Sequence, residues 1–166
     1  MSYCYDCGSA CLVGGPVPTC PVHGPRWKLV RNACGAGVVI TGAQGVLLGL
    51  RAQDPWRGQW EVPSGFVDLA EHPADAARRE VKEELGATVT LTAFLGVYLD
   101  LLPDGEWVQT TMYVGEIDGE LVPDRAEVLE CRWFRRAAVP DEMAGDHRRR
   151  VNDWLAGRAT ALPVDR

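Results

Sequence analysis

Apolar positions along the chain fall into runs of two different periods, and the runs predict the elements. Residues Asn32 to Thr41 and Val46 to Arg51 are β-rich and nearly unbroken in apolar character, with the turn Gly42-Ala43-Gln44-Gly45 between them. That is a hairpin-like signal. A polar loop, Ala52 to Gly58, leads to a short strand over Gln59 to Pro63. Val89 to Leu101 is a long strand with alternating stretches, Pro103-Asp104-Gly105 a turn, and Trp107 to Ile117 the returning strand. A polar loop over 118–129 precedes a last strand, Glu130 to Phe134. Helical spacing occurs twice, from Pro73 to Gly86 and from Asp146 to Ala156, where Val151, Trp154 and Leu155 share one face. Strands on either side of one central helix, closed by a second helix, predict an α/β domain with helices covering a mixed sheet.

The first helix carries the chemistry. Pro73 suits the first turn, where its missing N–H is not needed, and Gly86 suits the end. At about 100° per residue, Glu80, Glu83 and Glu84 fall within about a third of the circumference. Ala74, Ala77, Val81 and Leu85 gather on a face roughly 110° away, so the expectation is that they pack on a sheet while the acids stay open. Three carboxylates at such spacing repel one another, and a divalent cation reverses that sign. Oxygen-only ligands select a hard ion, Mg²⁺ or Mn²⁺. A solvated acidic face is the plainer use of such a run.

From Gly65 to Ala87 the residues match G-x5-E-x7-R-E-U-x-E-E-x-G-U, with U an apolar residue; Ala87 is smaller than most final residues of this pattern. On this motif, and on the flanking LLGLR-x6-GQWEVPSGFVD-x2-E, the chain resembles the Nudix hydrolases over roughly residues 32–157. The resemblance implies an α/β/α sandwich that cleaves the diphosphate bridge of a nucleoside diphosphate linked to another moiety. It implies Glu80 and Glu84 as the main metal ligands, Glu83 as support for a further metal or its waters, and the Gly65 carbonyl as another ligand. Arg79 would orient a glutamate, with Glu71 as its partner. Relatives take the general base either from the helix or from a later loop, and Glu127 is favoured over Glu130 for the latter. Arg51 and Arg57 are candidates for phosphate contacts, and Trp56, Trp60, Tyr98 and Trp107 for stacking on a base, with Arg51 and Trp60 preferred.

Pro103 stands sixteen residues beyond Ala87, the offset associated with ADP-ribose pyrophosphatases, although the turn alone also explains it. The Ser-Gln-Pro-Trp-type array of NADH pyrophosphatases is absent. An ADP-ribose-like substrate is therefore favoured; the alternatives are a nucleoside triphosphate or RNA-cap pyrophosphohydrolase, and a non-catalytic nucleotide sensor. His147-Arg148-Arg149-Arg150 opens the last helix, where positive charge opposes the macrodipole, and is expected to be a solvated face.

Four of six cysteines lie in the first twenty residues. Cys4-x2-Cys7 and Cys20-x2-His23 make two ligand pairs around a Gly/Pro-rich loop, the spacing of a structural zinc site closed by four ligands. Cys11, inside the loop, is the poorer ligand candidate, and a disulfide pair or free thiols are the competing uses, disulfides being disfavoured without an export signal. A ribbon of this kind resembles a subset of bacterial-type members of the same family. Cys34 and Cys131 are expected as small core residues, and Trp27 as an anchor between the ribbon and the domain. The expected organisation is a ribbon over 1–25, a hydrolase domain over 26–160 and a tail over 161–166.

Charge adds one exclusion. The 166 residues carry a net −6, but Arg26, Lys28 and Arg31 against Asp6 leave the first 31 residues at +2 and the remainder at −8. Such a domain lacks a broad phosphate-neutralising surface, which argues against nucleic acid as a partner. No apolar run is long enough to span a membrane, and the start has no signal-peptide pattern, so a cytoplasmic location is expected. The resemblance also allows a homodimer.

Overall fold

The structure, a computed structural model, describes residues 3–4, 6–12, 14, 17–25 and 33–162. It divides into two compact units, residues 1–32 and 33–166. Trp27, the expected anchor, lies outside the described residues.

In the first unit, β1 (Thr19–Cys20) pairs antiparallel with β2 (Gly24–Pro25). Single bridges join Tyr3 to Ala10 and Leu12 to Thr19. Among its described residues the buried core is Cys4, Cys11 and Cys20, and a segment this short buries too little apolar surface to hold a fold unaided.

The second unit is built on a seven-stranded sheet. Its strands are β3 (Ala33–Gly42), β4 (Gly45–Arg51), β5 (Trp60–Glu61), β6 (Ser64–Phe66), β7 (Thr88–Leu101), β8 (Trp107–Asp118) and β9 (Val128–Phe134). Their order is β5-β4-β3-β8-β7, with β6 also pairing β3 and β9 pairing β4. Only β3 and β8 run parallel, so the sheet is mixed. The last strand starts at Val128, two residues before the expected Glu130, because Val128 still pairs with Arg51 across an irregularity in the ladder.

Alternation along β3 and β4 explains their unbroken apolar runs. Val38, Ile40 and Leu47 face one cluster, which includes Ala76, Ala77, Val81 and Leu85 of helix α1 (Pro73–Leu85). Val39, Val46 and Leu48 face the other, which includes Val151 of helix α2 (His147–Leu155), with Trp154 and Leu155 packed against it. Each face of the sheet therefore has its own helix and its own core, the α/β/α sandwich expected from the resemblance.

Helix α1 has the predicted ends. The His72 ring Nδ1 accepts from the Ala74 N–H at 3.2 Å, and Gly86 closes the helix in the left-handed conformation with φ 68°. The exposure of its acids differs from the expectation. Glu83 is open, its side chain 54% exposed, but Glu80 and Glu84 are buried at 9% and 7%. β6 lies beside the helix at Gly65, and the 121–128 loop covers its end, where Val122 and Asp124 donate to the carbonyls of Leu85 and Glu84 at 2.8 and 3.0 Å.

Cys34 is also corrected. It is exposed, because the buried stretch of β3 begins only at Gly35, and Cys131 is half-buried beside the first cluster. Among the described residues, no helix is long and apolar enough to cross a membrane.

Candidate active site and a cysteine cluster

A cavity of about 710 Å³ opens between β6, α1 and the N-terminal end of α2. Its floor depends on a missing atom. A Cβ on Gly65 would stand 2.3–2.4 Å from the carboxyl group of Glu80, so only glycine lets that carboxyl lie against the β6 backbone. Glu80, Glu83, Glu84, Gly65 and Glu127 all line the cavity. Glu127 is exposed and comes from the loop before β9, which is tied down where the Ala52 N–H donates to the Glu127 carbonyl at 2.8 Å.

Arg79 organises this cluster. Its Nε and Nη2 each reach Glu71 at 2.9 Å, while Nη1 donates to Glu80 at 2.7 Å and Glu83 at 2.9 Å, and Nη2 also reaches the Phe66 carbonyl at 2.8 Å. The Glu71 partnership expected from the sequence is thus present in bidentate form. The Arg79 hydrogen bonds, followed by one from the Asp68 N–H, hold the Glu71 carboxyl down at about 2. Glu71 in turn pushes the Arg79 guanidinium further above its ordinary range.

Burial raises both buried glutamates, Glu84 the more strongly. Burial pushes Glu84 well up, reinforced by Glu61 and Glu80; its carboxyl accepts from the Ser64 N–H at 3.4 Å. Burial also raises Glu80, partly offset by Arg79. The all-oxygen donor set and its mutual repulsion fit a hard divalent cation, which would restore the charged form of these carboxyls.

Glu61 was not anticipated. It is 6% exposed on β5, lines the cavity, and is pushed up to about 7 by burial despite two Arg51 Nη1 contacts at 3.2–3.3 Å. An acid inside the short apolar run Trp60-Glu61-Val62-Pro63 was the available signal. Folded protein therefore binds an extra proton at Glu61 between about pH 4.5 and 7, so this contribution to stability is complete at low pH and is lost as pH rises through 7. His147 runs the other way: burial, then Arg150 and Arg51, hold it well below its usual value, which favours the fold as pH rises. The Glu61 contribution is thus best read against Glu61→Gln in metal-free protein. Between pH 5 and 8 the stability of wild type relative to this variant should fall by roughly 3 kcal/mol in chemical denaturation, and a constant difference would refute the assignment.

The other candidates separate cleanly. Arg51 and Trp56 line the cavity; Trp60, Tyr98, Trp107 and Arg57 do not. Trp60 is a correction, with a simple reason. In a strand successive side chains point to opposite faces, so with Glu61 turned to the cavity Trp60 must turn away. Its ring packs edge-on to Phe134 at 4.8 Å, with the Arg132 guanidinium 5.1 Å above it. Tyr98 is buried, its hydroxyl donating to Asp153 at 2.9 Å. Glu130 pairs with Arg132.

The basic run at the start of α2 is not a uniform solvated face. Arg150 is 3% exposed and ion-paired to Asp100, and His147 accepts from the Val62 N–H at 3.1 Å through Nδ1. Both line the cavity, and an isolated acid within the apolar run ending at Leu101 was the only hint of Arg150's partner.

In the first unit, one ligand atom from each of Cys4, Cys7, Cys20 and His23 lies within 4.8 Å of the others. Sγ of Cys7 and Cys20 are 3.7 Å apart, and His23 Nδ1 is 3.5 Å from Cys4 Sγ and 3.7 Å from Cys20 Sγ. Tetrahedral zinc with bonds of about 2.3 Å to sulfur would space its sulfurs by about 3.8 Å, so the donors fit. The Cys4 thiol lies at about 7: burial raises it, but the Cys7 N–H and the His23 ring outweigh that. Cys11 is buried nearby, outside the converging set.

Comparison with known proteins places this arrangement. The NUDIX domain family matches residues 31–155. A putative 8-oxo-dGTP diphosphatase of Bacillus subtilis is 30% identical over 120 residues, 72% of this chain and 77% of that protein. An ADP-ribose pyrophosphatase of Methanocaldococcus jannaschii is 33% identical over 112 residues, 66% of this chain and 65% of that protein. A NUDIX hydrolase structure from Nitrosomonas europaea superposes with a TM-score of 0.72 at 26% identity, covering 95% of this chain and 92% of that one. The family match runs from before β3 through the end of α2 and so includes every residue that lines the cavity; the chain belongs to the NUDIX domain family, hydrolases of phosphorus-containing anhydrides.

Proposed function

We propose that this protein is a metal-dependent hydrolase that cleaves the diphosphate bridge of a nucleoside diphosphate joined to another group. The observation that carries the reading is the contact made possible at Gly65: a buried carboxyl, Glu80, lies against a backbone strand at the bottom of a cavity shared with Glu83, Glu84 and Glu127. Glu80, Glu83, Glu84 and the Gly65 carbonyl would hold Mg²⁺ or Mn²⁺. When bound, the cation neutralises phosphate oxygens and lowers the pKa of water. Arg79 positions Glu80 and Glu83 and is itself fixed by Glu71. Glu127, on a tethered loop and open to solvent, is the group that takes the proton from the attacking water. Arg51 meets a phosphate from the side of Glu61.

ADP-ribose is the leading representative, supported by the relative named ADP-ribose pyrophosphatase. Pro103 lends little, since it sits in a turn off the cavity, and its neighbours Leu101 and Leu102 line the wall instead. A nucleoside triphosphate is the second reading, favoured by the relative named putative 8-oxo-dGTP diphosphatase. Incubation with Mg²⁺ or Mn²⁺ and a panel of nucleotide sugars, dinucleotides and triphosphates decides between them. Turnover of a diphosphate-linked substrate is expected. Tight binding of one compound with no turnover of any would instead make the protein a nucleotide sensor.

Residues 1–25 form a zinc ribbon in this reading, 26–160 the hydrolase domain and 161–166 a tail. Cys4, Cys7, Cys20 and His23 hold one Zn²⁺, whose structural role follows from the unit's small core. Elemental analysis should find about one zinc per chain, and chelation should unfold the first unit while the second keeps its cooperative transition. A zinc-free protein with unchanged exchange protection at residues 3–25 would contradict this. Reduced cysteine ligands accord with a cytoplasmic setting. A homodimer would have the exposed Val97, Leu99 and Leu101 on edge strand β7 available as an interface.

A further inference from the structure

The corner of the cavity away from the glutamates holds charged groups whose bonding is incomplete. Arg150 Nη2 donates to Asp100 Oδ2, and the Thr110 hydroxyl donates to the same oxygen at 2.8 Å. Asp100 Oδ1 and Arg150 Nε and Nη1 are buried and have no partner among the described residues. The guanidinium lies over the Tyr98 ring, 5.3 Å from its centroid, and the bond from Tyr98 to Asp153 fixes that ring in turn. Arg150 is therefore held in place by contacts that leave two of its nitrogens free. Unpaired charged donors in a 97%-buried side chain are costly, and such groups persist where a ligand completes them.

This corner adjoins the carboxylates. A Cβ at Gly35 would stand 3.2 Å from Thr110 Oγ1 and 3.3 Å from the Gly65 carbonyl oxygen, so a single glycine separates the two groups. One ligand can touch both. Trp56 lines the same cavity, its ring 3.4–3.7 Å from where a Cβ of Gly145 would lie. Its backbone has φ 67°, a left-handed conformation that a bulky residue rarely adopts. The fold maintains an unfavourable conformation to keep an indole there, and such strain concentrates at ligand sites.

Charge identifies the kind of ligand. Arg150 is balanced by Asp100, and Asp146 lies close enough to act on it as well. A phosphate or carboxylate would face the unshielded lone pairs of Asp100 Oδ1. A neutral planar edge with an acceptor beside a donor satisfies Arg150 and Asp100 together, and an indole offers a face for the same ring. We propose that Asp100 and Arg150 read the hydrogen-bonding edge of a nucleobase, with Trp56 as its stacking face, and so set the base preference of the enzyme. The proposal rests on the hydrolase reading above, in which the diphosphate lies at the glutamates.

The test compares wild type, Asp100→Asn and Arg150→Met on three Mg²⁺-dependent reactions: ADP-ribose, GDP-mannose and the baseless diphosphate 5-phosphoribosyl pyrophosphate. Asp100→Asn keeps the side-chain shape and an acceptor for Thr110, but presents an amide donor where an acceptor stood. It should change the ADP-ribose to GDP-mannose ratio of kcat/KM by tenfold or more, chiefly through KM. Both variants should reduce the advantage of the preferred nucleotide over the baseless substrate by a similar factor. Equal losses on all three substrates, or an unchanged base ratio in Asp100→Asn, would overturn the proposal and leave the pair a structural bridge. If wild type hydrolyses none of the three, the diphosphate-linked reading fails by itself. Calorimetric titration of wild type and Asp100→Asn with ADP-ribose and GDP-mannose then still reads base selectivity, and identical affinities in the two proteins would overturn the base assignment.

Discussion

Glu84→Gln should abolish nearly all turnover and leave the fold intact. The side chain is 7% exposed and its carboxyl is held well above the usual range by burial and by its neighbours Glu61 and Glu80. Gln has the same shape and keeps an oxygen for the Ser64 N–H, so packing is preserved. A buried carboxyl that must ionise is removed, and the metal-free protein should be no less stable than wild type. Activity behaves differently, because an amide cannot supply the negative charge that a hard cation needs. Metal stabilisation of the transition state is worth several kcal/mol, which corresponds to a loss of about 10³-fold in kcat. Steady-state assays across a Mg²⁺ titration, with thermal unfolding on the same preparations, check both halves. Retention of activity within a few-fold would remove Glu84 from the metal site.

Gly65→Ala has the second largest expected effect, and it tests geometry instead of charge. The new methyl group would meet the Glu80 carboxyl at 2.3–2.4 Å, so that carboxyl must move. Because the obstructed atoms are the end of a flexible side chain, the change in stability should stay near 1 kcal/mol. The displaced carboxyl would also lose its place beside Arg79 Nη1, now 2.7 Å away. Misplacement of a catalytic group by about an ångström costs on the order of 10²-fold, and the loss should exceed any change in thermal stability in proportion. A crystal structure of the variant should show Glu80 rotated away from β6. Wild-type activity with a wild-type Glu80 position would show that the carboxyl does not need this contact.

Much of the fold could be read from the chain because its signals are local. Pro73 and Gly86 mark the ends of α1, the turns at Gly42–Gly45 and Pro103–Gly105 mark two hairpin-like reversals, and the apolar runs mark β3 and β4 themselves. The burial of Glu80 and Glu84 could not be read so. A helical wheel describes one cylinder, whereas their cover comes from β6 and from the loop over 121–128. Trp60 was misjudged for want of one parity: with two residues in the strand, the face was undetermined until β5 was paired with β4. Asp100 and Arg150 lie fifty positions apart in different elements, and only the sandwich brings them together. Glu127 lines the cavity from a loop whose carbonyl accepts from the Ala52 N–H.

The glycines on β3 and β6 invert the usual relation between size and importance. At Gly37 an added Cβ would meet the Pro63 carbonyl oxygen at 2.7 Å and Ser64 Cβ at 2.5 Å, and at Gly35 it would press on Thr110 and Gly65. With Gly65 they form a seam in which matter has been left out so that two strands and a helix can close on one another. Natural drift will therefore tolerate change least where the side chains are smallest. A mutational scan would find this seam by its intolerant glycines before any acid was substituted.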